Sequence, residues 1–194
     1  TKNKKYSIII GSNIFYNINK IIKPYIKSDK VFIITDENIN KLYRKKIIQQ
    51  KNTKDLKIEI IVIKAGEKQK NFKMIDSLLS ILLKKGISRN DTIIAFGGGV
   101  VGDISGFTAS LVLRGVNHIQ IPTTLLAQVD SSVGGKTGVN SIYGKNLIGT
   151  FYQPSVVLID TNFLNTLPDR EMRAGYAEIF KYGLIQDIKF MNWL

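Results

Sequence analysis

The sequence predicts an α/β fold, a mostly parallel sheet with helices on both faces. Three observations point to it. Short apolar runs alternate with segments of helical period, giving β-α-β-α-β-α through the first half of the chain. The run Thr92 to Phe96 is short and wholly apolar, as a buried parallel strand is. That run breaks into Gly97-Gly98-Gly99 and continues as a helical pattern carrying Val100, Val101, Ile104, Phe107, Leu111 and Val112 on an apolar face.

Taken in order, Tyr6 to Ile10 reads as a strand, and Gly11-Ser12-Asn13 turns into a helix carrying Ile14, Ile18, Ile21 and Ile22, ended by Pro24. Val31 to Thr35 is the next strand and ends in Asp36, where a carboxylate serves either as a helix N-cap or as a partner for a ribose hydroxyl. A helix over 40–50 and a strand over 58–63 follow. Ala65 to Lys70 forms a loop into a helix with Phe72, Ile75, Leu78, Leu79, Leu82 and Leu83 on one face and Gly86 as its stop. His118 to Pro122 is a strand whose tip offers Thr123 and Thr124; Gly134-Gly135 makes a turn presenting Lys136. Thr137 to Ile148 reads as a hairpin or Ω-type loop, Val156 to Asp160 as a strand, Phe163 to Thr166 as a short turn, and Pro168 to Ile185 as a long helix.

The glycine stretch carries the functional signal. A strand, a glycine turn and a helix N-terminus form an anion site, because free N–H groups and the helix dipole point the same way. Gly97, Gly99 and Gly102 fit G-x-G-x-x-G, a Rossmann-like pattern that is weak alone, and the acidic residue expected about twenty positions later is absent. A tight turn with no ligand fits the glycines equally well. Asp103, in the first helical turn, would repel a phosphate unless it holds a ligand hydroxyl or a lysine.

Composition bounds the alternatives. The chain has 194 residues, no cysteine and a net charge of +13. Residues 1–85 hold 20 Lys+Arg against 7 Asp+Glu, and residues 86–194 hold 8 against 8, so the whole excess lies outside the glycine-rich half. Those lysines read as solvated faces, with a nucleic-acid-binding module as the rival from another class. No apolar run is long enough for a membrane span, the N-terminal segment lacks the apolar core of a signal peptide, and the lack of cysteine fits a cytoplasmic protein. Glu178 and Lys181 share one face of the last helix, where Ala174, Gly175 and Ala177 suggest close packing.

Taken together, Gly66-Glu-Lys-Gln-Lys70, Gly97 to Asp103, Arg114-Gly115, Pro122-Thr-Thr124, Gln128 to Lys136, Gly144-Lys-Asn146, Phe151 to Pro154, Phe163 to Thr166 and Ala177 to Lys181 resemble the 3-dehydroquinate synthase family, a branch of the sugar-phosphate cyclases. The resemblance implies an NAD-binding α/β domain, 1–166, followed by the beginning of an all-helical metal and substrate domain, 167–194. It implies ring closure of 3-deoxy-D-arabino-heptulosonate 7-phosphate to 3-dehydroquinate with loss of phosphate, through transient reduction of NAD and with a divalent metal, zinc or cobalt. By the same resemblance Asp36, Glu67, Lys70, Gly98, Gly99, Val100, Val101, Gly102, Asp103, Thr123, Thr124, Lys136, Lys145 and Phe163-Leu164-Asn165-Thr166 face the cofactor. Arg114, Asp130, Lys136, Asn146 and Lys181 line the substrate, and Glu178 is the first metal ligand.

Arg114, Lys136, Lys145 and Lys181 are four of the eight basic residues in the neutral half, and a substrate with a carboxylate and a phosphate calls for cations. The family's two histidine ligands have no match; His118, the single histidine, reads as an ordinary strand residue. The expectation is a fragment that binds NAD weakly and is inactive alone, from a family that tends to dimerise. Rival readings are a sister cyclase acting on another phosphorylated sugar and a metal-dependent polyol dehydrogenase of related fold.

Overall fold

The structure is a computed structural model and describes residues 5–51 and 56–194. The first four residues, at the head of the basic N-terminal segment, lie outside that set. Eight strands, β1 (Ser7–Gly11), β2 (Lys30–Asp36), β3 (Lys57–Ile63), β4 (Thr92–Gly97), β5 (Asn117–Pro122), β6 (Lys136–Ser141), β7 (Gly144–Phe151) and β8 (Val156–Asp160), alternate with α1 (Ile18–Ile22), α2 (Glu37–Lys51), α3 (Phe72–Lys84), α4 (Gly99–Leu111), α5 (Asp169–Gln186) and α6 (Ile188–Trp193). Six strands form one sheet in the order β1-β8-β5-β4-β2-β3, and every pairing in it is parallel. The remaining two, β6 and β7, form an antiparallel hairpin.

Strand alternation sends successive side chains to opposite cores. From β2, Phe32 and Ile34 join Leu78 and Leu82 of α3 and Ile104 of α4; Val31 and Ile33 join Ile22 of α1 and Ile47 of α2. Both faces are therefore covered, and β4 is buried along its entire length. Local chemistry closes the helices. The Asp36 Oδ1 accepts from the amides of Asn38 and Ile39 at the start of α2, and the Asn71 side chain accepts from the Met74 amide at the start of α3. Gly86, at φ +66°, ends α3 as the sequence predicts.

Two helical faces differ from expectation. Phe72 and Leu83 of α3 are about half exposed, because they lie at the margins of the stripe centred on Ile75, Leu78 and Leu82. Helix α4 is buried on nearly all sides rather than amphipathic. The β6–β7 hairpin packs over its outer side: Val139 shares a core with Ile104 and Phe107, and the Thr150 hydroxyl donates to Ser110 at 3.0 Å. Gly106 makes this possible, since a Cβ there would collide with the Thr137 methyl.

Asp160 holds the other end of the sheet together. Its buried carboxylate accepts from the amides of Asn13, Phe15 and Asn162, tying the turn after β1 to the turn after β8. Among the described residues no helix is long and apolar enough to cross a membrane.

His118 sits in β5, fully buried, with neither ring nitrogen hydrogen-bonded among the described residues. Burial lowers its pKa from 6.5 to about 4, so the folded ring is neutral. Between those values the unfolded chain binds a proton that the folded chain refuses. Stability contributed by the neutral ring is full above pH 6.5 and is lost as pH falls towards 4, by up to ~3 kcal/mol. Urea unfolding across that window should show the slope, and His118→Leu should flatten it.

Candidate active site

The direction of chain progression reverses between β2 and β4. From β2 the chain moves outward to β3; from β4 it moves the other way to β5. In open α/β sheets ligands bind outside the carboxyl ends of the strands at such a point. Here that position holds Gly97-Gly98-Gly99. The first hydrogen bond of α4 runs from the Gly102 amide to the Gly98 carbonyl at 3.0 Å. The amides of Gly99, Val100 and Val101 therefore have no acceptor within the helix. A Cβ at Gly98 would come within 3.0 Å of the Thr124 methyl, and one at Gly99 within 2.9 Å of the Ser131 hydroxyl. The buried hydroxyls of Thr123 and Ser131 have no partner among the described residues. Bare amides and unpartnered hydroxyls make a cradle with the chemistry of a diphosphate site.

Asp103 has one of the two tasks that its position allowed: it holds a lysine. The Lys70 ammonium, buried, donates to Asp103 Oδ2 at 2.6 Å and to Asn146 Oδ1 at 2.5 Å. Burial pushes the Asp103 carboxyl above the usual range, and the Lys70 ammonium opposes that rise by hydrogen bond and charge. Lys70 thus points inward, into the junction of α4 and the hairpin, where two oxygens satisfy it.

A cavity of about 430 Å³ opens beside this ion pair, lined by Asp103, Asp130, Ser131, Lys136 and Asn146, with Leu147 and Phe151 as apolar walls. Asp130 and Ser131 stand on a turn of π-helix, Ala127–Ser131, entered by a Thr124 hydroxyl cap on the Ala127 amide. Tyr182 of α5 donates its hydroxyl to Asp130 Oδ1 at 3.0 Å. Helix α5 reaches this turn because Gly175 lets it pack on Leu125.

Other expected site residues lie elsewhere. Arg114 sits beyond the C-terminal end of α4, exposed, while the glycine cradle is at the N-terminal end. Thirteen helical residues rise about 20 Å, so Arg114 does not line this cavity. Phe163 is buried against the rings of Phe15, Tyr43 and Phe96. With Asn165 and Thr166 it lines a second cavity of about 370 Å³, beside Tyr16, Tyr43 and Lys46; Leu164 does not line it.

Asp36 acts as a cap, Glu67 is exposed at the loop before α3, and Lys145 is exposed on β7 outside the lining of the main cavity. Glu178 pairs with Lys181, whose ammonium also lies 5.1 Å from the Tyr182 ring centre. Ala174 and Ala177 are exposed, so close packing on that helix falls on Gly175, and on Gly183 against Met191 of α6, instead. No three His, Cys, Asp or Glu side chains come together among the described residues, so these residues do not by themselves form a metal site.

Comparison with known proteins places this geometry. The profile described as 3-dehydroquinate synthase N-terminal matches residues 60–174. The chain belongs to the 3-dehydroquinate synthase family. A relative named 3-dehydroquinate synthase in Pelagibacter ubique strain HTCC1062 is 51% identical over 195 residues, 100% of this chain and 52% of its own length. The chain spans about half the length of the curated relatives it matches. Among solved structures it is similar to 2-epi-5-epi-valiolone synthase (ValA) from Streptomyces hygroscopicus subsp. jinggangensis, solved with NAD+ and Zn2+ bound. That likeness has a TM-score of 0.89 and 32% identity, over 97% of this chain and 52% of the other. It is also similar to a 2-deoxy-scyllo-inosose synthase solved with carbaglucose-6-phosphate, NAD+ and Co2+, at TM-score 0.85 and 29% identity, over 94% and 50%. The family's Rossmann-like parallel sheet is the one described above.

Sequence reasoning missed Asn140, Ser131 and Tyr182. Asn140 and Tyr182 are ordinary polar residues with partners remote in sequence, Glu67 and Asp130, and Ser131 is one of two adjacent serines in a motif that does not show which of them lines the cavity. The buried ion pair yields a test. Lys70→Met leaves Asp103 as a buried carboxylate without a counter-ion and should lower stability by ~3 kcal/mol at pH 7. Because the Asp103 pKa is raised, protonation relieves that loss, so the deficit should shrink as the pH is lowered. Lys70→Met with Asp103→Leu should recover most of it in urea unfolding.

Proposed function

We propose that this chain is the nucleotide-binding part of a 3-dehydroquinate synthase, which closes 3-deoxy-D-arabino-heptulosonate 7-phosphate to 3-dehydroquinate with release of phosphate. The observation that carries the proposal is the cradle of bare α4 amides opening beside a cavity that holds Asp130, Lys136 and Asn146. NAD, when bound, supplies a reversible hydride acceptor.

The chain's own residues do the rest. The amides of Gly99, Val100 and Val101 donate to the diphosphate, with Gly98, Gly102, Thr123 and Thr124 shaping the cradle around it. Glu67 and Asp36 accept from hydroxyls on the adenosine side, and Lys70 anchors Asp103 so that it does not repel the anion. Asn165 and Thr166 line the second cavity, and the exposed Lys145 sits on the hairpin. The Lys136 ammonium offers a point charge to a substrate oxyanion. Asp130, its Oδ1 oriented by Tyr182, accepts from a substrate hydroxyl, and Asn146 hydrogen-bonds beside it. Lys181 and Glu178 approach from α5.

Curated relatives at about half identity support the dehydroquinate reaction over the sister cyclases, to which identity is about three in ten. The substrate is a small sugar phosphate rather than nucleic acid, and the setting is cytoplasmic. A homodimer would cover the apolar hairpin side chains Ile142, Tyr143 and Phe151, which are more than three-quarters or about three-quarters exposed.

In the intact protein, phosphate should be released from the seven-carbon substrate and not from glucose 6-phosphate, with no net accumulation of NADH. Release from glucose 6-phosphate, or net NADH absorbance, overturns the assignment. Lys136→Met should slow release by at least ~100-fold with little change in melting temperature, since Lys136 is exposed and acts on substrate charge.

A further inference from the structure

Asn140, the last residue but one of the hairpin's first strand, at the break in register between Val139 and Ser141, makes polar contacts to three different parts of the site among the described residues. Its Nδ2 donates to Glu67 Oε1 at 2.7 Å. Its Oδ1 accepts from the Asn146 amide at 2.9 Å. Its own amide donates to the Lys70 carbonyl at 2.8 Å. Asn146 stands at φ +57°, a left-handed conformation that asparagine adopts more readily than most residues, and here two groups hold it. The Asn140 carbonyl oxygen and the Lys70 ammonium are the two groups that do so, one on the backbone and one on the side chain.

We propose that Asn140 is a positioning residue that couples the loop carrying Glu67 to the cavity carrying Asn146. The inference rests on the cofactor reading of Glu67 given above. Neither end can shift without the other: rotating the amide to follow Glu67 releases the Asn146 backbone, and releasing that backbone frees the oxygen that Lys70 uses. A residue that merely stabilised the hairpin would not need both a donor and an acceptor at these two places. A simple amide supplies both; a carboxylate or a hydrocarbon does not.

The polarity of the two arms gives the experiment. Asn140→Asp keeps an acceptor for the Asn146 amide and sets a carboxylate against the Glu67 carboxylate. In the intact protein, isothermal titration with NAD should then show a Kd raised roughly tenfold, while KM for the phosphorylated substrate moves less than threefold. Asn140→Leu breaks both arms and should raise both quantities. The reciprocal exchange, Asn140→Asp with Glu67→Gln, restores a donor facing an acceptor, so its Kd should lie within about threefold of that of Glu67→Gln alone rather than tenfold above it.

Rescue by the exchange supports the coupling, because loss of hairpin stability would not be repaired by a change at Glu67. Unchanged NAD affinity in Asn140→Asp, or no recovery in the exchange, overturns it. If the native protein itself binds no NAD, the cofactor reading fails and the coupling proposed here falls with it; if the native protein binds NAD normally and the variants do not differ, only the role of Asn140 is lost.

Discussion

The site depends on one buried ammonium. Lys70 comes from the loop after β3, Asp103 from the first turns of α4, and Asn146 from the far strand of the hairpin, and the Lys70 ammonium joins all three. An ammonium removed from water demands acceptors, and an unpaired one would be among the most costly groups in the interior. The demand works as a geometric constraint: the loop, the helix and the hairpin must arrive together for the charge to be satisfied. Their arrival sets where the α4 amides point and where the cavity opens. Asp103 would otherwise be an unpaired negative charge near the free amides of α4; Lys70 balances it in place.

The position of α4 follows from small residues rather than from a strong apolar stripe. It lies between the sheet and the hairpin, with Gly102 towards Gln120 and Gly106 under Thr137. Close approach on two sides leaves room only for hydrogen there, and it also buries the hydroxyls of Ser105 and Thr108. The helix is in effect a spine with different roles at its ends. Its N-terminus presents unpaired amides to the switch in strand order, whereas its C-terminal end passes into a left-handed turn through Leu113 and Arg114 on the opposite side of the molecule.

Much of the architecture was legible because it is written locally. Apolar runs, helical periods, Pro24, Gly86 and the glycine triplet each act within a few residues, and they marked nearly every strand and helix of the sheet. The cavity residues Asp103, Asp130, Lys136 and Asn146 were legible too, through motif resemblance, and the structure brings all four to one cavity. What residue types alone did not give was direction. Phe163 lies in a matching motif, and its ring packs against Phe15, Tyr43 and Phe96 at the edge of the second cavity. Arg114 follows the glycine helix closely in sequence, but a helix separates its two ends by its own length.

By itself, then, the sequence determined the alternation of strands and helices, the glycine-rich start of α4 and the family, since these rest on local backbone preferences and on residue types at fixed spacing. Only the tertiary structure decided the strand order, the seating of the hairpin on α4 and the roles of Lys70, Asn140 and Tyr182. Those are settled by contacts between segments far apart in the chain, where the cost of an unpaired buried charge such as the Lys70 ammonium selects the arrangement, and no stretch of sequence contains both partners.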